Sequence, residues 1–248
     1  MDAHQTTIYF AILIVSIIGG SILIFFIISM LLQHRRNIAL YKSKIQAEIT
    51  TLENERTRVS ADLHDELGPL LFTVKFKLSS IETNTEDQRS LEDANKHLDD
   101  IIQRIREISN DLMPGTLLRK GVYFAIEEFI DGLAKASPVH ITFAYETIVE
   151  LSKEKAVNLY RIVQEIIHNT LKHAKASSLH IELNHVDSKL VLTSHDNGTG
   201  FDYSTERREN TGLGLRNLLS RTELMGGNMY VESKPGEGTA YTIEIPLQ

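Results

Sequence analysis

The feature that most limits this chain is Ile8 to Leu32, a run of twenty-five residues without a charge. As a helix it would span ~37 Å, enough to cross a hydrocarbon core of ~30 Å with some tilt. A cleaved signal peptide fits less well, because the apolar run is too long and nothing basic precedes it. Asp2 is the only charged residue before the run, whereas Arg35, Arg36, Lys42 and Lys44 follow it. The positive-inside rule then predicts a single pass through the inner (plasma) membrane, with the N-terminus outside and the bulk of the chain cytoplasmic. Residues 1–7 read as a short extracytoplasmic tail and 8–32 as the transmembrane helix. Ser16 and Gly20 form a small-xxx-small pair that would let two such helices approach closely, although a lipid-facing helix is the simpler reading.

Composition narrows the chemistry of the remainder. The 248-residue chain has no cysteine, so disulfides, a thiolate nucleophile and a Cys-ligated zinc are excluded. Its net charge of -7 argues against direct nucleic-acid binding, which normally leaves a basic footprint. Ten histidines raise the question of metal, yet no His-Glu-x-x-His or similar ligand spacing occurs.

Past the membrane segment, Ile38, Tyr41, Ile45, Ile49, Leu52, Val59 and Leu63 recur at three-, four- or seven-residue steps. This predicts a coiled-coil linker over 33–57, with a break in phase near Ile45 to Ile49. The stripe continues through Leu67, Leu70, Val74 and Leu78. A polar turn at Glu82 to Ser90 separates it from a second stripe, Leu91, Ala94, Leu98, Ile101, Ile105, Ile108 and Leu112, closed by Met113-Pro114-Gly115. Two such helices bury their stripes poorly alone. Residues 58–114 are therefore expected to pair with a second copy as a four-helix bundle, making the protein a homodimer.

His64 follows Leu63 and lies ~100° further around the helix, at the edge of this stripe and open to solvent. A lone histidine there is more often a surface residue than a catalytic one. Its neighbours are Asp65, Glu66 and, five residues on, Pro69. Proline inside a helix removes a hydrogen bond and clashes with the preceding turn, which predicts a kink just past His64. Neutral imidazole is a competent nucleophile near pH 7, and an adjoining carboxylate can orient it and take its proton.

From about Leu118 the pattern mixes helix and strand. Ser152 is the expected N-cap of a helix over 153–174, with Glu154 in its first turn. Leu159, Ile162, Val163, Ile166, Ile167, Leu171 and Ala174 form its apolar face; Arg161, Glu165, His168, Asn169, Lys172 and His173 form the other, which would ordinarily be a solvated face. Glu165 and Asn169 stand one turn apart. A strand over Leu190 to His195 leads to Asp196-Asn-Gly-Thr-Gly-Phe201, where glycines allow a ligand close to backbone and the carboxylate can hold an amine donor. Thr211-Gly-Leu-Gly-Leu215 opens a further helix, Arg216 to Met225. Free N–H groups at such a helix start suit phosphate. Gly226-Gly227 ends this helix, and two strands flank a Pro235-Gly236 turn, with Gly238-Thr239 opening the last.

The order of these pieces carries a resemblance. Glu53-Asn-Glu-Arg-Thr-Arg-Val-Ser-Ala-Asp-Leu-His-Asp-Glu-Leu-Gly-Pro-Leu70 resembles the H-box of two-component sensor histidine kinases, in the His-Asp branch that includes nitrate and membrane-fluidity sensors. Val163 to Ala174 resembles the N-box of the GHKL (Bergerat) ATPase fold shared with gyrase, MutL and HSP90; Asp196 to Phe201 resembles its G1 box and Thr211 to Leu215 its G2 box. The fold class implied is α plus α/β: transmembrane helix, coiled-coil linker, dimeric helical hairpin, then an α/β-sandwich ATP-binding domain over 118–248.

The resemblance implies ATP-dependent autophosphorylation of His64, with Asp65 as general base. Phosphotransfer to an aspartate in the receiver domain of a response regulator, with helix-turn-helix output, would follow. It implies that Asn169 binds Mg2+ with Glu165 supporting it or its waters, and that Asp196 accepts from the adenine amino group. Gly198 and Gly200 would give room for the base. Gly212, Leu213, Gly214 and Leu215 would touch phosphates, Lys172 and His173 would lie on the phosphate side, and Thr239 would lie near the adenine. Residues between Phe201 and Gly212 would be an ATP lid. Two departures stand out: Pro69 replaces the Gln or His usual in this branch, which implies weak phosphatase activity, and His195 precedes Asp196. An ATP-driven clamp, or a degenerate kinase serving as a membrane scaffold, are the competing readings at this level.

Overall fold

The computed structural model describes residues 3–81, 88–134, 137–203 and 213–247. The chain divides into two compact units, Met1–Leu52 and Glu53–Gln248. The described part of the first is all helix, within α1 (Ala3–Asp62). Met1 and Asp2 of the expected outer tail lie outside the described residues, and residues 3–7 are already helical. Ile22, Phe25, Phe26 and Met30 are exposed, as suits a helix whose apolar surface faces hydrocarbon. By length and composition it is the one helix among the described residues able to cross a membrane.

The second unit begins with the last residues of α1. A π-helical turn, Leu63–Leu67, leads into α2 (Gly68–Ser79), and α3 (Gln88–Leu112) returns beside it. Pro69 stands in the first turn of α2, where a missing N–H costs little. The break expected past His64 therefore takes the form of a widened turn, a feature frequent at functional sites, with proline just beyond it. Residues 82–87 of the expected polar turn lie outside the described residues, and Gln88 to Ser90 already belong to α3. Ser60 and Ser109 join hydroxyls at 2.8 Å where the helices meet.

The apolar stripes are only partly satisfied within one chain. Ile102 is buried, but Leu67, Leu70, Phe72, Val74, Phe76, Ile101 and Ile108 are exposed. A two-helix hairpin has a single seam, so these apolar positions stay exposed among the described residues.

The rest is a two-layer α/β domain. Helices α4 (Gly115–Lys120) and α5 (Val122–Ala134) precede β1 (His140–Tyr145). Helix α6 (Lys153–Asn169) ends in a second π-helical turn, Thr170–Ala174. Strands β2 (Ser178–Val186) and β3 (Lys189–Asp196), helix α7 (Leu213–Leu224), and strands β4 (Asn228–Ser233) and β5 (Thr239–Pro246) complete it. The five-stranded sheet has the order β1-β2-β3-β5-β4. β1 and β2 are parallel and every other pair is antiparallel. Ser152 caps α6, its side chain accepting from Lys155 N at 3.3 Å.

Alternation along the strands decides which residues enter the core. β3 buries Leu190, Leu192, Ser194 and Asp196 in turn, while β5 buries Thr239, Tyr241, Ile243 and Ile245. These meet Leu159, Ile162, Ile166 and Ile167 of α6 and Leu218 of α7, all at most 1% exposed. The other sheet face is polar, as expected of a sheet covered on one side. Asp196 is thus the last inward residue of β3. His195 points the other way, between its register partners His180 and Ala240.

Candidate active site

A cavity of about 640 Å³ opens where α6, its terminal π turn, the end of β3, the start of α7 and the start of β5 converge. Glu165, Asn169, Lys172, His173, Asp196, Gly200, Gly214, Leu215 and Thr239 all line it, so segments far apart in sequence meet there. Gly212 lies outside the described residues, as do residues 204–211 of the expected lid; Leu213 opens α7.

Asp196 is 4% exposed, and its Oδ1 accepts from Gly198 N at 2.8 Å. That bond fixes the carboxylate at the inner end of the cavity. Ionised, it can only accept hydrogen bonds, so it is complementary to an amino group and hostile to a carbonyl. Thr239 is its register partner on β5 and stands 3.0 Å from Ser233 Oγ through its hydroxyl.

The two loop glycines make room chiefly for the protein's own backbone. A Cβ on Gly198 would stand 2.3 Å from Ala174 O, and one on Gly200, at φ 56°, would stand 2.1 Å from Lys234 O. The loop is thereby clamped between the N-box turn and the β4–β5 turn, where Gly236 N donates to Thr199 O at 2.7 Å and Thr199 N to Ala174 O at 2.7 Å.

At the other end of the cavity α7 begins against α6. A Cβ on Gly214 would lie 2.4 Å from Glu165 Oε1 and 3.2 Å from Asn169 Oδ1. The two hard oxygen donors therefore face a helix start, where unpaired N–H groups favour anions. The π turn widens the end of α6 and brings Lys172 and His173, both exposed, onto the cavity wall. His168, which also lines it, packs edge-on against Phe129 with ring centroids 5.9 Å apart. Burial pushes its pKa below the ordinary value, and Lys172 adds to the shift. The sequence pattern also passed over Thr170, Thr199, Phe201 and Tyr241 as wall residues.

His64 and Asp65 are elsewhere. His64 Nδ1 lies 2.9 Å from Asp65 Oδ1, and the two side chains are 78% and 75% exposed. His64 lines a smaller apolar cavity of about 220 Å³ with Leu63, Pro69, Phe72, Ile102 and Arg106; among the described residues, none of the α/β domain borders it. A carboxylate accepts only, so in a neutral ring this contact favours the tautomer with the proton on Nδ1, whose Nε2 carries the lone pair.

The fold and cavity define a nucleotide-type α/β domain joined to a helical hairpin that carries an exposed His-Asp pair. Residues 154–248 match the family model described as Histidine kinase-, DNA gyrase B-, and HSP90-like ATPase, and residues 55–117 match that described as Histidine kinase. The chain therefore carries the two regions of a histidine kinase, a histidine-kinase hairpin followed by an ATPase domain. It is 28% identical over 221 residues to Oxygen sensor histidine kinase NreB of Staphylococcus carnosus (strain TM300), covering 87% of this chain and 63% of that one. It is 29% identical over 205 residues to Sensor histidine kinase ComP of Bacillus subtilis (strain 168), covering 79% of this chain and 27% of that one. The chain thus spans less than two thirds of the length of these relatives. The histidine kinase domain of a blue-light activated histidine kinase from Erythrobacter litoralis EL346 aligns with 74% of this chain and 96% of its own, at 19% identity and a TM-score of 0.45.

Proposed function

We propose that this protein uses ATP to phosphorylate His64 and then passes the phosphoryl group to an aspartate in the receiver domain of a response regulator, whose output domain is of the helix-turn-helix type. The observation that carries the reading is the exposed His64–Asp65 pair, 2.9 Å apart, in the same chain as the acid-tipped cavity. Asp196 accepts from the adenine amino group with Thr239 beside it, and the backbone at Gly212 to Leu215 receives phosphates with Lys172 and His173. Gly198 and Gly200 shape the base end.

A carboxylate and an amide oxygen suit Mg2+, which uses few protein oxygens and completes its shell with phosphate and water. Glu165 and Asn169 would hold it, and it would neutralise charge on the transferring group. In the step itself, Nε2 of His64 attacks the γ-phosphorus, the bond to the β-phosphate oxygen breaks, and ADP leaves. Asp65 accepts the Nδ1 proton as positive charge builds on the ring. In the second step the N–P bond breaks as a receiver carboxylate forms its O–P bond, and the proton returns to the imidazole.

The exposed apolar positions of α2 and α3 support a homodimer in which two hairpins make a four-helix bundle. Residues 8–32 cross the plasma membrane once with the N-terminus outside, 33–57 are the signalling linker, 58–114 carry dimerisation and phosphotransfer, and 118–248 bind ATP. Incubating the full chain with γ-labelled ATP and Mg2+ tests the reading. Label that is acid-labile and base-stable and maps to His64 supports it; nucleotide binding without such label sinks it.

A further inference from the structure

Glu53, the first residue of the second unit, is 8% exposed, although the pattern around it is that of a linker helix surface. Its two carboxylate oxygens grip two arginines from the α/β domain. Oε2 accepts from Arg161 Nε at 3.1 Å and Oε1 from Arg221 Nη2 at 2.6 Å. Arg161 and Arg221 are 6% and 8% exposed. Arg161 also donates from Nη1 to Asp111 O at 3.3 Å and from Nη2 to Leu112 O, the last carbonyls of α3. Arg56 approaches the same Glu53 carboxylate from one turn along α1, at 3.4 Å.

The two arginines belong to the two helices that border the nucleotide cavity. On α6, Arg161, Glu165 and Asn169 follow at i, i+4 and i+8, one face of the helix. On α7, Gly214 and Arg221 are two turns apart on one face. Gly214 lies against Glu165, whereas Arg221 Nη1 donates to Asn158 Oδ1 at 3.0 Å, so the helices run antiparallel with the cavity at one end and Glu53 at the other. His64 is eleven residues beyond Glu53, about 16 Å along the helix. Among the described residues, the cavity beside His64 and the nucleotide cavity share no lining residue.

We propose that Glu53 is a positioning residue: its carboxylate ties the foot of the hairpin to both helices of the nucleotide site and holds that site away from His64 until the tie is released. Removing the charge leaves two buried guanidinium groups facing each other with only neutral acceptors, which favours separation of the surfaces. Glu53 is continuous through α1 with the membrane-side residues, so a displacement of that helix bears directly on the tie. The proposal rests on His64 being the phosphoacceptor.

The test uses the full chain in lipid nanodiscs, with Glu53→Gln as the principal variant. Because the protein has no cysteine, Lys96→Cys on α3 and His185→Cys on β2 can be spin-labelled without removing any thiol. Glu53→Gln is expected to raise the initial rate of His64 phosphorylation roughly three- to tenfold, the size of a modest population shift, with ATP affinity little changed. The distance distribution between the labels should broaden and shift. Glu53→Asp, which keeps the charge, should give a rate nearer the unsubstituted chain. Arg221→Lys, which can reach Glu53 or Asn158 but not both, should move rate and distance less, in the same direction. A lowered or unchanged rate in Glu53→Gln, or an unmoved distance distribution in a variant that still binds nucleotide, overturns the proposal. The distance measurement needs no catalysis, so a chain that takes up no label would defeat the kinase reading while the tie was still being tested.

Discussion

The two π-helical turns of this protein invite comparison. The first interrupts a long helix and the second ends one, and both carry histidine with a charged neighbour: His64-Asp65 in one, Lys172-His173 in the other. The first contains no buried residue, whereas the second buries Thr170 and Ala174 and is stitched to the G1 loop through the Ala174 carbonyl. Their surroundings fit different work. This suits the roles proposed for them: a phosphoacceptor would have to meet a nucleotide and then a separate protein, which an open turn allows, and a nucleotide site would have to fix one ligand, which a walled turn allows.

The comparison predicts that damage at the open turn removes chemistry while damage at the walled turn removes binding. The largest effect is expected of His64→Gln, which should abolish label incorporation and leave equilibrium nucleotide binding intact; loss of binding would mean that the two regions are not separable. Asp65→Asn should slow autophosphorylation by ~10²–10⁴, the usual worth of a general base, again with unchanged affinity. An unaltered single-turnover rate would reduce Asp65 to a structural role. On the walled side, Asp196→Asn replaces an acceptor-only group by one that also donates. Loss of a charged hydrogen bond of ~1.5–3 kcal/mol corresponds to roughly 10–100-fold weaker ATP binding by calorimetry.

Pro69, just beyond the open turn, sharpens the contrast. Its side chain has neither donor nor acceptor, so a water in line with a regulator's aspartyl phosphate has nothing to hold it there. Phosphatase activity should be weak, and Pro69→Gln should accelerate decay of purified phosphorylated regulator by roughly tenfold in the presence of ADP. Rapid decay with the unsubstituted chain, insensitive to this change, would place the water elsewhere.

The smallest effect belongs to His168 on the cavity wall. Although His168 keeps an exposed edge, desolvation of its ring against Phe129 lowers its pKa in the fold from an ordinary value of 6.5, so the unfolded chain takes up this proton first as pH falls. Stability should therefore decline as pH drops from about 6.5 through the lower folded value, with no contribution above that range. Chemical denaturation at a series of pH values should show a shallower acid decline in His168→Gln, and an identical slope would remove His168 from the account.

Local pattern determined much of this protein. An uncharged run long enough to span a bilayer, a serine poised to cap α6, and strict alternation along β3 required no knowledge of the fold. The same alternation that sends Leu190 and Leu192 inward sends Asp196 inward and His195 outward, so the acid's place at the cavity floor was implicit in a period of two. Three ordered boxes then indicated a shared site through their resemblance to the GHKL ATPase fold. What the tertiary structure alone decided is what happens between distant segments. Arg161 sits on a helix face that periodicity assigns to solvent, and Glu53 lies in what reads as a linker; both are buried because three remote segments close over them. Ile102 takes the single seam of the hairpin while Ile101 and Ile108 are left outside, a choice that depends on where α2 lies. Periodicity records which residues share a face of their own element, and burial depends on what arrives opposite that face, which no local spacing encodes.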